Sequence, residues 1–293
     1  MSSYNYELQA TLRDLNYVIQ MRARLRDFKY RFVPTNLANH PYPEQFTQEF
    51  DCPNVGWADR FVMIASTGRC GSHYLGHMLM MTEECGVPLE YLNRGNARYW
   101  RARFGSLNFQ EIFAKLVEQR TSQNGTFCFK AHWWHYVPFR NKMDTMTRGQ
   151  GLDKIVWISR RNQLAQAISK VIAQQTGAWI SGVTPKHDAT YSYTAIVRAA
   201  KINWHGNMRW RSHLAERYHD RYKAVAYEDL LSSAQTRTEL ADFIGIQQEL
   251  EPSERTQRQK DDKKSEWRER FLNEMKDEDR WIVEVPQWFD VIN

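Results

Sequence analysis

Apolar positions recur along this chain with two periods. Short runs that are apolar to both sides predict strands at 61–65, 126–131, 154–159 and 223–227. Between them, apolar residues at helical spacing predict helices over 72–84, 107–121, 162–176, 192–218 and 228–243. Strands that alternate with helices of this length pair in parallel and are joined by crossover helices. The run Lys154-Ile-Val-Trp-Ile-Ser159 suits a central strand covered on both faces. In such α/β sheets ligands sit beyond the carboxyl ends of the strands, so the residues after each strand are the site candidates.

The termini read differently. Leu8, Leu12, Leu15, Val18, Ile19 and Leu25 give residues 4–31 an amphipathic helical pattern, most simply a helix packed on its own domain. Residues 34–57 are rich in Pro, Asn and aromatics and read as an irregular lead-in. Residues 1–57 therefore form an extension and 58–293 the main domain. Residues 250–280 are highly charged and read as a solvated tail and helix.

Composition narrows the setting. The chain has 293 residues, with 42% hydrophobic residues, enough for a substantial core. Its mean hydropathy is −0.69, and no stretch approaches the roughly 18 apolar residues of a membrane span. The N-terminus lacks the basic and apolar regions of a signal peptide. Cys52, Cys70, Cys85 and Cys128 are scattered, which fits a reducing cytoplasm and argues against a zinc site. A net charge of +6 favours anionic partners without choosing among them.

The chemistry gathers at the strand ends. After 61–65 comes Ser66-Thr67-Gly68-Arg69-Cys70-Gly71-Ser72, then a helical pattern through His73 and Tyr74. Strand, small-residue loop and helix aim backbone N–H groups and a helix N-terminus at an anion, and Arg69 adds a full charge. The loop is not a Walker sequence: Gly68 and Gly71 are three apart, and no Lys-Ser or Lys-Thr follows Gly71. After 154–159 come Arg160 and Arg161, with Ser169 eight residues beyond Arg161, a set that can grip one phosphate. After 126–131 comes His132, which shares a strand face with Lys130 if the strand reaches that far. Glu90, in Gly86-Val-Pro-Leu-Glu-Tyr91, is a carboxylate in an apolar setting, where a raised pKa suits a general base. Each single feature also has a structural reading: a helix-packing serine, a core histidine, a surface glutamate. Glu228 and Asp229 are sufficiently explained as acids at a helix start.

Together these segments resemble a sulfotransferase that uses 3′-phosphoadenosine 5′-phosphosulfate (PAPS), most nearly the bacterial Stf-zero type, whose known member sulfates trehalose. Ala65–Ser72 is similar to that family's A-S-x-R-S-G-S loop, with one extra residue before Arg69 and Cys70 in place of Ser. Arg160, Arg161, Gln166, Ala167 and Ser169 match its R-R-x-x-x-x-Q-A-x-S run, and 172–179 also resembles it. The resemblance implies a P-loop-like three-layer α/β fold with a central parallel sheet flanked by helices. It implies a 5′-phosphosulfate site at Thr67, Gly68, Arg69, Cys70, Gly71, Ser72 and His73, and a 3′-phosphate site at Arg160, Arg161 and Ser169. The family's G-x-P-x-E-[FY] base falls on Glu90, whereas the K-T-H motif of cytosolic sulfotransferases makes His132 the rival base, with Lys130 beside it. Arg258, Gln259 and Lys260 resemble, loosely, a late segment that closes over the nucleotide. The implied acceptor is a carbohydrate or another small hydroxylated metabolite, or an amine; no metal is required. The N-terminal helix is a candidate homodimer contact. A P-loop kinase or NTPase is the nearest rival enzyme, and Mg-dependent ATP turnover would favour it. A nucleic-acid-binding module would account for the basic charge and the 11 tryptophans, but the charge forms no single stripe and no nucleic-acid motif appears.

Overall fold

A computed structural model describes residues 36–37, 40–52, 56–105, 108–180, 183–252 and 262–284. The expected helix at 4–31 and the segment at 258–260 lie outside the described residues.

Four parallel strands form the sheet: β1 (Arg60–Ser66), β2 (Thr126–His132), β3 (Lys154–Ser159) and β4 (Tyr222–Ala226), in the order β2-β1-β3-β4. Their apolar runs are buried on both faces. Phe61, Met63 and Ala65 of β1 face one core layer, and Val62 and Ile64 face the other. The first layer is built with α2 (Ala97–Phe104), α3 (Phe109–Arg120) and Trp210 and Leu214 of α7 (Tyr193–Arg217). The second is closed by α1 (Ser72–Met81), α8 (Tyr227–Ser232) and α9 (Ala234–Ile244). The result is a three-layer α/β fold with a central parallel sheet flanked by helices. Two short helices, α4 (Trp133–Tyr136) and α5 (Met143–Met146), lie between β2 and β3.

Register sets the working edge. Ser66 pairs with His132, Ala65 with Trp157, and Ser159 with Ala226, so the strands end close to level. The chain leaves β1 toward β2 and leaves β3 toward β4, in opposite directions. That reversal opens a crevice beyond the carboxyl ends of β1 and β3, where ligands bind in this architecture.

Helix α6 (Gln163–Thr176) starts where Asn162 Oδ1 accepts from the Ala165 N–H at 2.9 Å and stops at Gly177, whose φ is +74°. Its apolar face packs with α7 and α10 (Asp262–Glu274). The charge run expected to be fully solvated thus buries Trp267 and Phe271, with Phe271 stacked on Tyr193 at 4.8 Å. The helix expected over 228–243 is broken at Ser233, whose hydroxyl accepts from the Thr236 N–H and starts a new helix. The part of the lead-in around Phe46 is not peripheral. Phe46 is buried against Tyr99 and Trp100, and buried Arg120 donates to the carbonyls of Gln45 and Thr47.

Gly86 fixes the path of the segment that carries Glu90. It has φ +60°, and a Cβ there would lie 1.9 Å from the Arg120 carbonyl oxygen at the end of α3. Gly86→Ala is expected to lower unfolding stability by about 2–3 kcal/mol through strain and overpacking. A urea melt checks this as a fall in midpoint with unchanged slope.

Candidate active site

The loop after β1 is held from beneath by α6. Gln166, fully buried, donates through Nε2 to Thr67 Oγ1 at 3.0 Å and to the Gly68 carbonyl at 2.8 Å. One turn on, the Ser169 hydroxyl accepts from Arg69 Nε at 2.9 Å. Arg69 also donates to the Trp179 carbonyl just beyond α6. Arg69 has φ +64°, and Gly71 has φ +95° with the Tyr227 ring where a Cβ would stand. The left-handed Arg69 and Gly71 curl the loop into α1, whose N-cap residue Gly71 has no side chain to offer its first N–H groups. A helix start behind a curled loop, with a glycine as its N-cap, is what an anion cradle needs. Cys70 is fully buried in the core beneath, so what it offers a ligand is its main chain.

The sequence reading passed over Lys170. It is buried, and its Nζ donates to Asn203 Oδ1 on α7 at 2.7 Å; burial pushes its pKa down to about 8. Its spacing from Gln166, one helical turn, was the available signal.

A second cluster forms at the end of β2. The strand does reach His132, so Lys130 and His132 share a face. The Lys130 N–H donates to the Leu89 carbonyl at 2.9 Å, which draws 87–91 alongside β2 and aims Glu90 at that face. Glu90 Oε1 lies 3.3 Å from His132 Nε2 and 3.5 Å from Lys130 Nζ. Its Oε2 lies 3.7 Å from His135 Nδ1 and accepts from Asn93 at 3.3 Å. Burial pushes the Glu90 carboxyl up, but His132, Lys130 and His135 together hold it well below the usual carboxylate range. The raised pKa expected from its apolar setting is therefore not what forms, because three basic groups surround it. Lys130 Nζ also donates to His73 Nδ1 at 2.9 Å, with the His77 ring 4.4 Å beyond.

A third cluster follows β3. Arg161 makes a two-pronged bridge to Asp229, at 2.5 and 2.7 Å. Glu228 accepts from the N–H groups of Arg161 and Asn162, so it caps α6 rather than only its own helix. Arg160 lies over the Tyr227 ring, 3.8 Å from Glu228. Among the tryptophans, Trp100 and Trp133 are core, Trp134 is packed against it, and Trp179 is exposed beside Arg69. Among the described residues there is no group of three His, Cys, Asp or Glu placed to hold a metal, and no helix long and apolar enough to cross a membrane.

The loop that carries Arg69 is thus held by Gln166 and Ser169 of the R-R-x-x-x-x-Q-A-x-S run. Residues 138–274 match the Stf0 sulphotransferase family. The Stf0 match takes in Arg160, Arg161 and Ser169, and begins after the loop, Glu90, Lys130 and His132. It supports sulfuryl transfer as the general chemistry. Two solved structures are similar at low identity. The sulfotransferase domain from the curacin biosynthetic pathway is 15% identical, with a TM-score of 0.44, covering 65% of this chain and 75% of that one. The sulfotransferase domain from the Synechococcus PCC 7002 olefin synthase is 17% identical, with a TM-score of 0.42, covering 81% and 85%. No curated protein matches the chain.

His73 gives a direct check on the second cluster. Burial first, then Lys130 and His77, push its pKa down to about 2, so its ring accepts from Lys130 as the neutral form. Its NMR ring shifts are expected to stay flat from pH 8 to pH 5. In Lys130→Met the depression should lessen. Titration of His73 near pH 6.5 in the wild type would contradict the arrangement.

Proposed function

We propose that residues 58–293 form a sulfotransferase domain that moves the sulfuryl group of PAPS to a hydroxyl or amine of a carbohydrate or other small acceptor, in the cytoplasm. One observation carries this reading: Arg69, in the loop after β1, is bonded directly to Ser169, inside the segment that matches the Stf0 family. The two halves of the expected donor site meet there. Four unpaired cysteines are consistent with a reducing compartment.

The residues present fit such a donor. The glycine-led start of α1 and the loop amides suit the 5′-phosphosulfate, with Thr67, Gly68, Cys70, Gly71, Ser72 and His73 around it. Ser169 accepts from Arg69, which leaves its own O–H to donate to a 3′-phosphate oxygen, with Arg160 and Arg161 supplying charge. Arg258, Gln259 and Lys260 remain assigned to closure over the nucleotide.

Transfer is a displacement at sulfur. The bond from the acceptor oxygen or nitrogen to sulfur forms, the bond from sulfur to the 5′-phosphate oxygen breaks, and the acceptor proton must leave. Glu90 takes that proton. It is ionised, and His132 Nε2 faces its other oxygen, so His132 serves Glu90 rather than replacing it. Lys130, 3.5 Å from Glu90, adds charge where the sulfuryl oxygens would lie, and the anionic donor would in turn weaken the hold of Lys130 on the Glu90 proton affinity.

Three measurements test the reading. With labelled PAPS and fractionated metabolites, Glu90→Gln should lose about a hundredfold or more in kcat, and His132→Ala less. Near-full kcat in Glu90→Gln rejects it as the base. Arg69→Ala should slow turnover in protein that still binds the donor; an unchanged rate rejects that role. Arg161→Ala should weaken adenosine 3′,5′-bisphosphate more than adenosine 5′-phosphate, and equal weakening rejects the 3′-phosphate site.

A further inference from the structure

Ser66 closes β1 and is fully buried, yet its hydroxyl is not idle. Oγ lies 2.9 Å from His132 Nδ1 and 3.3 Å from the Ala131 carbonyl. On the far side of the ring, His132 Nε2 lies 3.3 Å from Glu90 Oε1. Ser66, His132 and Glu90 therefore form a chain of two contacts through one imidazole.

Donor and acceptor rules fix the protons along that chain. A carboxylate only accepts, so the Nε2 that faces Glu90 carries hydrogen. In the neutral ring Nδ1 is then bare and accepts the Ser66 O–H. In the charged ring Nδ1 carries hydrogen and donates to Ser66 Oγ, and the serine proton turns to the Ala131 carbonyl. A hydroxyl with that carbonyl in reach satisfies both states, and an alanine satisfies neither. The hydroxyl is also held in place. Trp210, fully buried, donates through Nε1 to the Ser66 carbonyl at 2.8 Å, and the β1–β2 register sets Ser66 beside His132.

We propose that Ser66 is a positioning residue that keeps the His132 Nε2–H on Glu90 through turnover, whatever the charge of the ring. This rests on Glu90 as the base. The acceptor proton goes to Oε2 of Glu90, the oxygen that Asn93 and His135 face, while His132 keeps its own proton on Nε2 and steadies Oε1.

The test reads the tautomer directly, without substrate, by 15N NMR of labelled histidine in wild type, Ser66→Ala and Ser66→Cys. The wild type with the ring neutral should show His132 as one tautomer, with Nε2 protonated and Nδ1 bare. Ser66→Ala should show averaged tautomer shifts, and kcat should fall about tenfold, as for loss of one ordinary hydrogen bond, with KM for PAPS unchanged. Ser66→Cys, close in size and a weak donor, should fall between the two and serves if the alanine variant does not fold. A single Nε2–H tautomer retained in either folded variant overturns the proposal. Altered tautomer shifts in a protein that transfers no sulfuryl group would sustain the positioning and reject only the function built on it.

Discussion

The parallel register of β1 between β2 and β3 is the constraint on which the site depends. Ser66 ends level with His132, and Ala65 pairs with Trp157, two residues before β3 ends at Ser159. A slip of one residue would turn Lys130 and His132 to the opposite face and carry their partners away from Glu90. The register is strongly specified because both sheet faces are buried. Phe61, Met63 and Ala65 fit only one layer, and Val62 and Ile64 only the other. Core packing thus places Lys130 and His132 against Glu90.

Helix α6 is the second element of that placement. Its buried stripe Gln166-Ser169-Lys170 presents an amide, a hydroxyl and an ammonium at one-turn spacing to the loop after β1 and to α7. Such a stripe is costly in a core unless each group finds a partner. Gln166 does so through its Nε2, by holding Thr67 and Gly68, and Ser169 does so by holding Arg69. The left-handed Arg69 is tolerated because these bonds over-determine it.

The strands and the main helices were legible in the sequence because a doubly covered sheet writes its burial as continuous apolar runs. Residues 154–159 show this: the expected and observed strand coincide. Helices α2, α4 and α5 were not legible. Trp133–Tyr136 and Met143–Met146 are single turns too short to show a period, and Ala97–Phe104 interleaves three arginines with its buried face. The break at Ser233 was hidden because a capping serine inside a helical pattern looks like any surface serine until its hydroxyl is seen to accept. Motif spacing singled out Arg69, Ser169, Glu90, Lys130 and His132, and the structure brings Arg69 to Ser169 and Glu90 to Lys130 and His132. Spacing could not show that Asp229 grips Arg161 or that Glu228 caps α6, since both contacts span more than 60 residues.

Those long-range contacts sort the cations of the crevice by what opposes them. Arg161 faces a carboxylate through two bonds, and Arg160 lies near Glu228, so much of their charge is compensated within the molecule. Lys130 shares Glu90 with two histidines. Arg69 is different: its hydrogen bonds go to a hydroxyl and a main-chain carbonyl, both neutral. Burial first, then the nearby Arg160, push its pKa down, and among the described residues only Cys70 and Tyr227, no carboxylate, work against them. A guanidinium that stays charged under those conditions projects a field that nothing in its own shell cancels. An anion entering the crevice gains most at Arg69, where it supplies the missing countercharge, and less at Arg161, where it competes with Asp229. On the proposed function, the loop after β1 would draw the charged, transferring end of the donor, and the arginines after β3 would discriminate what hangs from its other end.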